Sequence, residues 1–462
     1  MPDSEARSPQ RSPELVRGLG VVDGALLTVG SIIGTGIFIT TGDMAKTVPH
    51  AGLILLVWVA GGLLTIAGAL SYAELGVMFP RAGGIYLFLK EAYGPLWGFL
   101  YGWACFFVIM SGGIATLGVG FGEYLGSFVP FFSTQHELWA LDLGGFVWRV
   151  SGGQVAAALA ILFLTAVNYF GLREGALLQN LLTVLKIGSI ALFVAIGFLV
   201  PARAGGELTA PLPAGHLLTG FGVAMIAALW TYDGWYGLVF SAGEVKRPER
   251  SLPLGLILGC VAVVVLYALL NLVYFRALPV AAMAETSRIG ETAAQALFGG
   301  MGGRLVSLAV LISTFGCLSS TILYSSRIYH PMAEDGLFFR SLAAIHPRYR
   351  VPARSLWAQS LWSVVLALSG KYDQLYTYVV FAAVLFHVAT GAAVFVLRRT
   401  RPEAPRPYRT WGYPWVPLAF ILASLLLVGN TVLERPVQSL IGLGLVALGL
   451  PAYFYWRRAA PA

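Results

Sequence analysis

The sequence predicts an all-α polytopic membrane protein of twelve transmembrane helices, and three observations carry that prediction. Only 11% of its 462 residues are charged and 57% are hydrophobic, whereas about a quarter of an average soluble protein is charged. Apolar stretches close to the ~20 residues that cross a bilayer recur a dozen times. The basic residues crowd into alternate loops. No soluble core of this size hides so much apolar surface, so a water-soluble enzyme, a nucleic-acid binder and a secreted disulfide scaffold are excluded.

The spans fall at about 19–41, 51–78, 95–125, 153–170, 178–200, 217–241, 253–275, 304–328, 354–369, 372–397, 415–433 and 437–456. Residues 1–18 form a polar, Pro- and Ser-rich tail without a cleavable signal pattern, expected to be disordered and cytoplasmic. With that tail inside, 21 basic residues fall in inner segments and eight in outer ones, and Lys186 alone remains in the membrane. By the positive-inside rule both termini are cytoplasmic, in a cell (inner) membrane. The net charge of +8 therefore reports orientation, not a nucleic-acid partner. Cys105, Cys260 and Cys317 all fall inside spans, away from any loop that an oxidising compartment could cross-link. No Cys/His metal spacing is present, so neither metal nor cofactor is expected.

Two spans are interrupted. The first carries Gly30-Ser31-Ile32-Ile33-Gly34-Thr35-Gly36-Ile37-Phe38, and Ile33 lies 12 residues, ~18 Å of helix, from Val21. The sixth carries Trp230-Thr231-Tyr232-Asp233-Gly234-Trp235, ~24 Å along its span. Every backbone N–H and C=O in a bilayer needs a partner, so a mid-span interruption should line a cavity. Small residues also serve plain helix packing, but here the glycines cluster with Ser31 and Thr35, and the second break carries an acid. The breaks lie 200 residues apart, at Ile33 and Asp233, each in the first span of a five-span block. That is the pattern of two inverted repeats with paired discontinuous helices around a central site. It divides the chain into repeats at 19–200 and 216–398, with two peripheral helices at 411–457.

These segments resemble the amino acid–polyamine–organocation superfamily and, within it, the L-type amino acid transporter family, over about residues 18–430. Gly30–Phe38 is similar to the family's first-helix signature. Ser71-Tyr72-Ala73-Glu74-Leu75-Gly76 followed by Pro80-Arg81-Ala82-Gly83-Gly84-Ile85-Tyr86 resembles the second-helix signature and its loop. Tyr232–Trp235 leading to Glu244 and Arg247-Pro248-Glu249-Arg250-Ser251-Leu252-Pro253 is similar to the helix 6–7 segment. Ser325-Ser326-Arg327 with Asp335-Gly336 resembles the end of helix 8, and Arg406-Pro407-Tyr408-Arg409 with Gly412-Tyr413-Pro414-Trp415 resembles bacterial members before helix 11. The resemblance implies ten core helices in a 5+5 inverted repeat, alternating access, and an amino acid substrate. Heavier eukaryotic relatives pair with a glycoprotein subunit through a cysteine between helices 3 and 4. Segment 126–152 has none, so no disulfide-linked heavy subunit is expected.

A zwitterion crossing hydrocarbon needs both charges solvated. Half-helix N-termini offer N–H groups and a positive dipole end to the carboxylate, and half-helix C-termini offer carbonyls to the ammonium. The carboxylate is accordingly expected at Gly34, Thr35 and Gly36, and the ammonium at the carbonyls of Ile32, Ile33, Trp230 and Tyr232. Lys186 matches the family's helix-5 lysine, whose ammonium occupies a sodium-like position against the first break. Three roles are open to Asp233, beside Gly234: capping the second half-helix, selecting a cationic side chain, or carrying a proton. Trp230, Tyr232 and Trp235 are candidate aromatic gates, with Trp230 the expected occluding residue. Glu123 reads as an interfacial group, Glu74 and Asp23 as gate or packing partners, and His387 as a satisfied core histidine.

The leading function is a secondary transporter of neutral L-amino acids working by sodium-independent exchange or facilitated transport. A proton-coupled importer and a cationic amino acid exchanger are the alternatives within that class. A polytopic membrane enzyme would need clustered His, Asp or Glu, and the six His are scattered. A channel would need charged rings or filter loops, and an ATP-driven pump a Walker A sequence; neither is visible.

Overall fold

The computed structural model describes residues 18–81, 83–142, 147–170, 173–203, 217–349 and 351–459. Apart from Gly18, the tail at 1–18 lies outside the described residues, as does the 204–216 link between the two five-span blocks. Among the described residues, nine helices are long and apolar enough to cross a membrane. The broken first and sixth spans contribute the short apolar helices Val21–Ile32 and Leu218–Tyr232, and the ninth span is the 17-residue helix Ala353–Ser369. The chain is a multi-pass, all-α membrane protein.

The first span is Val21–Ile32, a 3-10 turn at Gly36–Phe38 and a second helix at Thr40–Thr47. The second is Ala51–Met78, and a short helix at Ile85–Tyr93 leads into the third, Pro95–Leu125. Within the third, Cys105–Ile109 winds as a π-helix: the Met110 N–H reaches back to the Cys105 carbonyl, and the Phe107 carbonyl accepts from Trp362 Nε1 at 3.0 Å. Spans four and five are Gly152–Phe170 and Arg173–Leu199. The sixth breaks after Leu217–Tyr232 and resumes at Gly237–Phe240. The seventh is Pro248–Ala277, the tenth Tyr372–Thr400, the eleventh Trp415–Glu434 and the last Pro436–Arg458.

Two features depart from the sequence reading. The stretch at 126–152 contains an antiparallel hairpin, Glu137–Asp142 paired with Val147–Ser151. Its alternation is too short and too mixed in polarity to stand out beside apolar spans. The eighth span, expected at 304–328, belongs to Ile289–Glu334, which is two helices meeting at Gly299 with φ +77°. That left-handed conformation suits glycine and turns a short lateral helix into the span.

The broken first span packs along the seventh, which also carries the second, while the third packs on the fourth. A Cβ on Gly259 of span seven would lie 2.6 Å from Thr28 Cβ. Such small residues let backbones approach where no hydrophobic effect drives helices together. At one end of the bundle Glu74, with 1% side-chain exposure, accepts from Arg398 at 2.8 and 2.7 Å and from the Thr410 N–H at 2.7 Å. This ties the second span to the tenth and to the segment before the eleventh. Asp23 caps the first helix by accepting the Gly20 N–H at 2.9 Å. Glu123 accepts from Thr134 and from Ser287 Oγ, so it knits span three to two loops rather than facing lipid.

Candidate functional site

In the first span the last regular helical bond runs from the Ile33 N–H to the Val29 carbonyl, at 3.0 Å. Turn bonds resume only when Phe38 and Ile39 donate to Thr35 and Gly36. Between them the N–H groups of Gly34, Thr35, Gly36 and Ile37 have no acceptor among the described residues. Buried backbone donors are nearly always paired, so this run is exceptional. The carbonyls of the same break are occupied. Lys186 Nζ donates to Gly30 O at 3.2 Å and Ile33 O at 2.8 Å. Cys317 Sγ donates to Ser31 O, and the Tyr267 hydroxyl to Ile32 O, each at 3.4 Å. Lys186 is 3% exposed; its charge is satisfied by helix-end carbonyls rather than by a carboxylate.

The second break is built around Gly234. The Asp233 N–H bonds to Trp230 O at 3.0 Å and the Gly237 N–H to Gly234 O at 2.8 Å. Gly234 has φ +92°, and a Cβ there would stand 2.5 Å from the Ser31 carbonyl oxygen. Only glycine lets the two breaks touch. Tyr267 joins them as well, since its hydroxyl also reaches Thr231 O at 3.4 Å.

A cavity lies against both breaks, and Ile32, Gly34, Gly36, Trp230, Asp233 and Gly234 line it. Ile33, Thr35 and Tyr232 do not. Ile33 is fully buried, with its carbonyl held by Lys186. The Thr35 hydroxyl turns to Tyr372, at 3.3 Å. Tyr232 is 1% exposed, donates to the Trp58 carbonyl at 3.0 Å and packs on Trp58 and Tyr267. Two residues along a helix is a rotation of roughly 200°, so Trp230 and Tyr232 face opposite ways. Trp230 closes one end of the cavity: its Nε1 donates to the Tyr372 hydroxyl at 2.9 Å and its ring lies nearly parallel to Tyr376. Toward the other end Tyr324, which lines the cavity, stacks on Phe240 with centroids 5.9 Å apart.

Several lining residues escaped the sequence reading: Ile109, Met110, Gly113 and Leu117 of span three, and Cys317, Thr321 and Tyr324 of span eight. They are ordinary membrane-helix residues without a local signal, and only the packing of the two spans against the breaks brings them in. Trp235 turns away from this cavity onto Tyr72, at 4.6 Å, and His387. His387 Nδ1 shares a 2.6 Å hydrogen bond with the Tyr72 hydroxyl. Asp233 faces the Tyr236 hydroxyl and the Gly234 N–H. It also borders a second cavity. Among the described residues no group of three or more His, Cys, Asp or Glu is placed to hold a metal ion.

The sequence matches the family profile described as amino acid permease over residues 19–444. It is 30% identical over 446 residues to the serine/threonine exchanger SteT of Bacillus subtilis, covering 95% of this chain and 97% of that protein. It is 30% identical over 452 residues to the human b(0,+)-type amino acid transporter 1, with 96% and 88% covered. With the mouse large neutral amino acids transporter small subunit 2 it shares 28% over 464 residues, covering 99% and 84%. A cavity between two broken helices and a profile match along almost the whole sequence lead to one conclusion: the chain belongs to the amino acid permease family, and is a multi-pass membrane transporter of amino acids rather than an enzyme.

Proposed function

We propose that this chain is a sodium-independent, alternating-access exchanger or facilitator of neutral L-amino acids. It works in the cell (inner) membrane with both termini cytoplasmic and without a disulfide-linked heavy subunit. The observation that carries the reading is that Gly34 and Gly36, whose N–H groups are left without acceptors together with that of Thr35 between them, line the wall of a cavity. A substrate carboxylate supplies the acceptor that the protein withholds. With Ile33 O held by Lys186 and Tyr232 turned away from the cavity, the ammonium falls to Ile32 O and Trp230 O, each of which keeps a lone pair beside its bond to Tyr267 or to the Asp233 N–H. Lys186 supplies a fixed cation where a sodium ion would otherwise neutralise the helix end. Trp230 with Tyr372 and Tyr376 closes one side of the site; Tyr324 with Phe240 closes the other. The two repeats, 19–200 and 216–398, rock against each other around it. All three cysteines are buried, which supports a stand-alone chain, and the bias of basic residues supports the orientation.

One observation favours a second reading. Asp233 borders the cavity, and none of the ion pairs among the described residues involves it. Lysine or arginine side chains would find a counter-charge there. Counterflow in proteoliposomes separates the readings. Uptake of labelled neutral amino acid should need unlabelled amino acid inside, ignore replacement of sodium by choline, and ignore a proton gradient. Uptake driven by the proton gradient would establish the importer instead, and strong competition by arginine the cationic exchanger.

A further inference from the structure

The second cavity lies between spans two, six, ten and eleven, and Asp233 is the one residue it shares with the first. Its walls are apolar: Leu64, Leu229, Val380, Ala383, Val384 and Phe420. The polar groups around it are mostly spent. The Thr65 hydroxyl donates to Gly61 O at 2.8 Å, and His387 Nδ1 is engaged by Tyr72. The lining stretches of spans two, ten and eleven are continuous helix, so their N–H groups are spoken for. Nothing here resembles the run of unpaired N–H groups that faces the first cavity.

A ligand's chemistry follows from that inventory. A carboxylate would find at most the Trp235 N–H of the second break as a backbone donor, and that donor lies two residues from the Asp233 carboxylate, whose like charge repels it, so an amino acid is disfavoured. A neutral hydrocarbon would leave that carboxylate without a counter-charge in the membrane, where an uncompensated charge is expensive. A cation carried on an apolar body satisfies both requirements. Its ammonium meets Asp233, with the Trp235 ring also on the cavity wall for cation–π contact, and its hydrocarbon fills the remaining space. We propose that this cavity is a second binding site, specific for apolar monoamines lacking a carboxylate, which reach Asp233 from the side opposite the amino acid. An apolar amine partitions into bilayers, and span eleven is among the spans least buried inside the protein, so the approach is from lipid.

The test uses the full-length protein in detergent with 2-phenylethylamine as probe and 3-phenylpropionate as the matched anion. A ligand of the native state raises the melting temperature. Phenylethylamine should stabilise the wild type and phenylpropionate should not. Ala383→Leu fills the second cavity without touching the first. It should weaken the amine at least about ten-fold, while neutral amino acid affinity stays within about two-fold. Val384→Ile is a milder filling should the first variant fold poorly, and Asp233→Asn should abolish the amine effect. The proposal falls if the amine leaves the melting temperature unchanged, or if phenylpropionate acts equally. It falls too if the amine effect survives both fillings, which would put the amine in the amino acid site.

Discussion

Replacing Lys186 with methionine removes a charge while keeping most of the apolar stem of the side chain, and the structure fixes what should follow. The ammonium makes two charge-assisted hydrogen bonds, to Gly30 O at 3.2 Å and Ile33 O at 2.8 Å. At ~1.5–3 kcal/mol each, their loss costs ~3–6 kcal/mol. Against this stands the cost of holding a lysine at mid-membrane, ~3 kcal/mol on insertion scales, which the methionine no longer carries. Ile33 O keeps a weak donor in Ser313 Oγ, at 3.4 Å. The net change in stability is therefore small, ~0–3 kcal/mol, and Lys186→Met should purify folded with a modestly lowered melting temperature. Transport should suffer far more, because the fixed cation is the element joining span five to the break in span one. We expect exchange in proteoliposomes to fall at least about ten-fold, equivalent to ~1.4 kcal/mol in the barrier. Near wild-type exchange by this variant, or a sodium requirement in the wild type, would refute the reasoning.

Three further predictions use the same assays. Gly34→Val places a Cβ 2.9 Å from Leu117 Cδ2 and 3.3 Å from Cys317 Sγ. It should remove the thermal stabilisation given by amino acids while leaving a monodisperse protein, since both neighbours are ends of flexible side chains. Glu74→Ala strands Arg398 and the Thr410 N–H. Breaking a buried pair costs ~3–5 kcal/mol, so the melting temperature should drop sharply, whereas Arg399→Ala on the same helix should leave it nearly unchanged. Asp233→Asn keeps the shape of the side chain. If the carboxylate selects cations, competition by lysine and arginine should weaken about five-fold or more, ~1 kcal/mol, with neutral substrates spared; a uniform small loss would mark capping alone.

The spans were legible because bilayer thickness imposes a length and an apolar composition that local sequence displays. The breaks were legible for a related reason: Gly30, Gly34 and Gly36 beside hydroxyl residues, and an acid at Asp233, conflict with an uninterrupted helix. Lys186 stood out as the one basic residue inside a span, and the structure sets it against the first break. What sequence could not display is direction around a helix whose ends are broken. Tyr232 stood beside Trp230 as a candidate gate until the fold turned it onto Trp58. Cys317 and Met110 carry no pattern that separates them from other lining or packing residues, and Tyr372 enters the site only by bonding Trp230 and Thr35, 142 and 337 residues away in the chain. Glu74 was recognisable as a partner in search of a charge, but Arg398, 324 residues away, is named by topology alone.

The π-helix at Cys105–Ile109 has a consequence for register. A π-turn accommodates one residue more than the α-helix it interrupts, so the part of span three that follows it is phased independently of the part before. Met110, Gly113 and Leu117, which line the amino acid cavity, owe their inward aim to the wide turn that absorbs this surplus residue. Winding the same residues as unbroken α-helix would rotate everything downstream by about 100°, whereas deleting Phe106 removes the surplus and the bulge together and leaves the downstream face in place. The Phe107 carbonyl would be recaptured by its own helix, leaving Trp362 Nε1 to find another acceptor. Span three thus has one place where its length can change without disturbing the binding wall: a single-residue deletion within the wide turn keeps the same helical face toward the cavity, whereas the same deletion in the regular helix between Met110 and Leu117 exchanges one face for another.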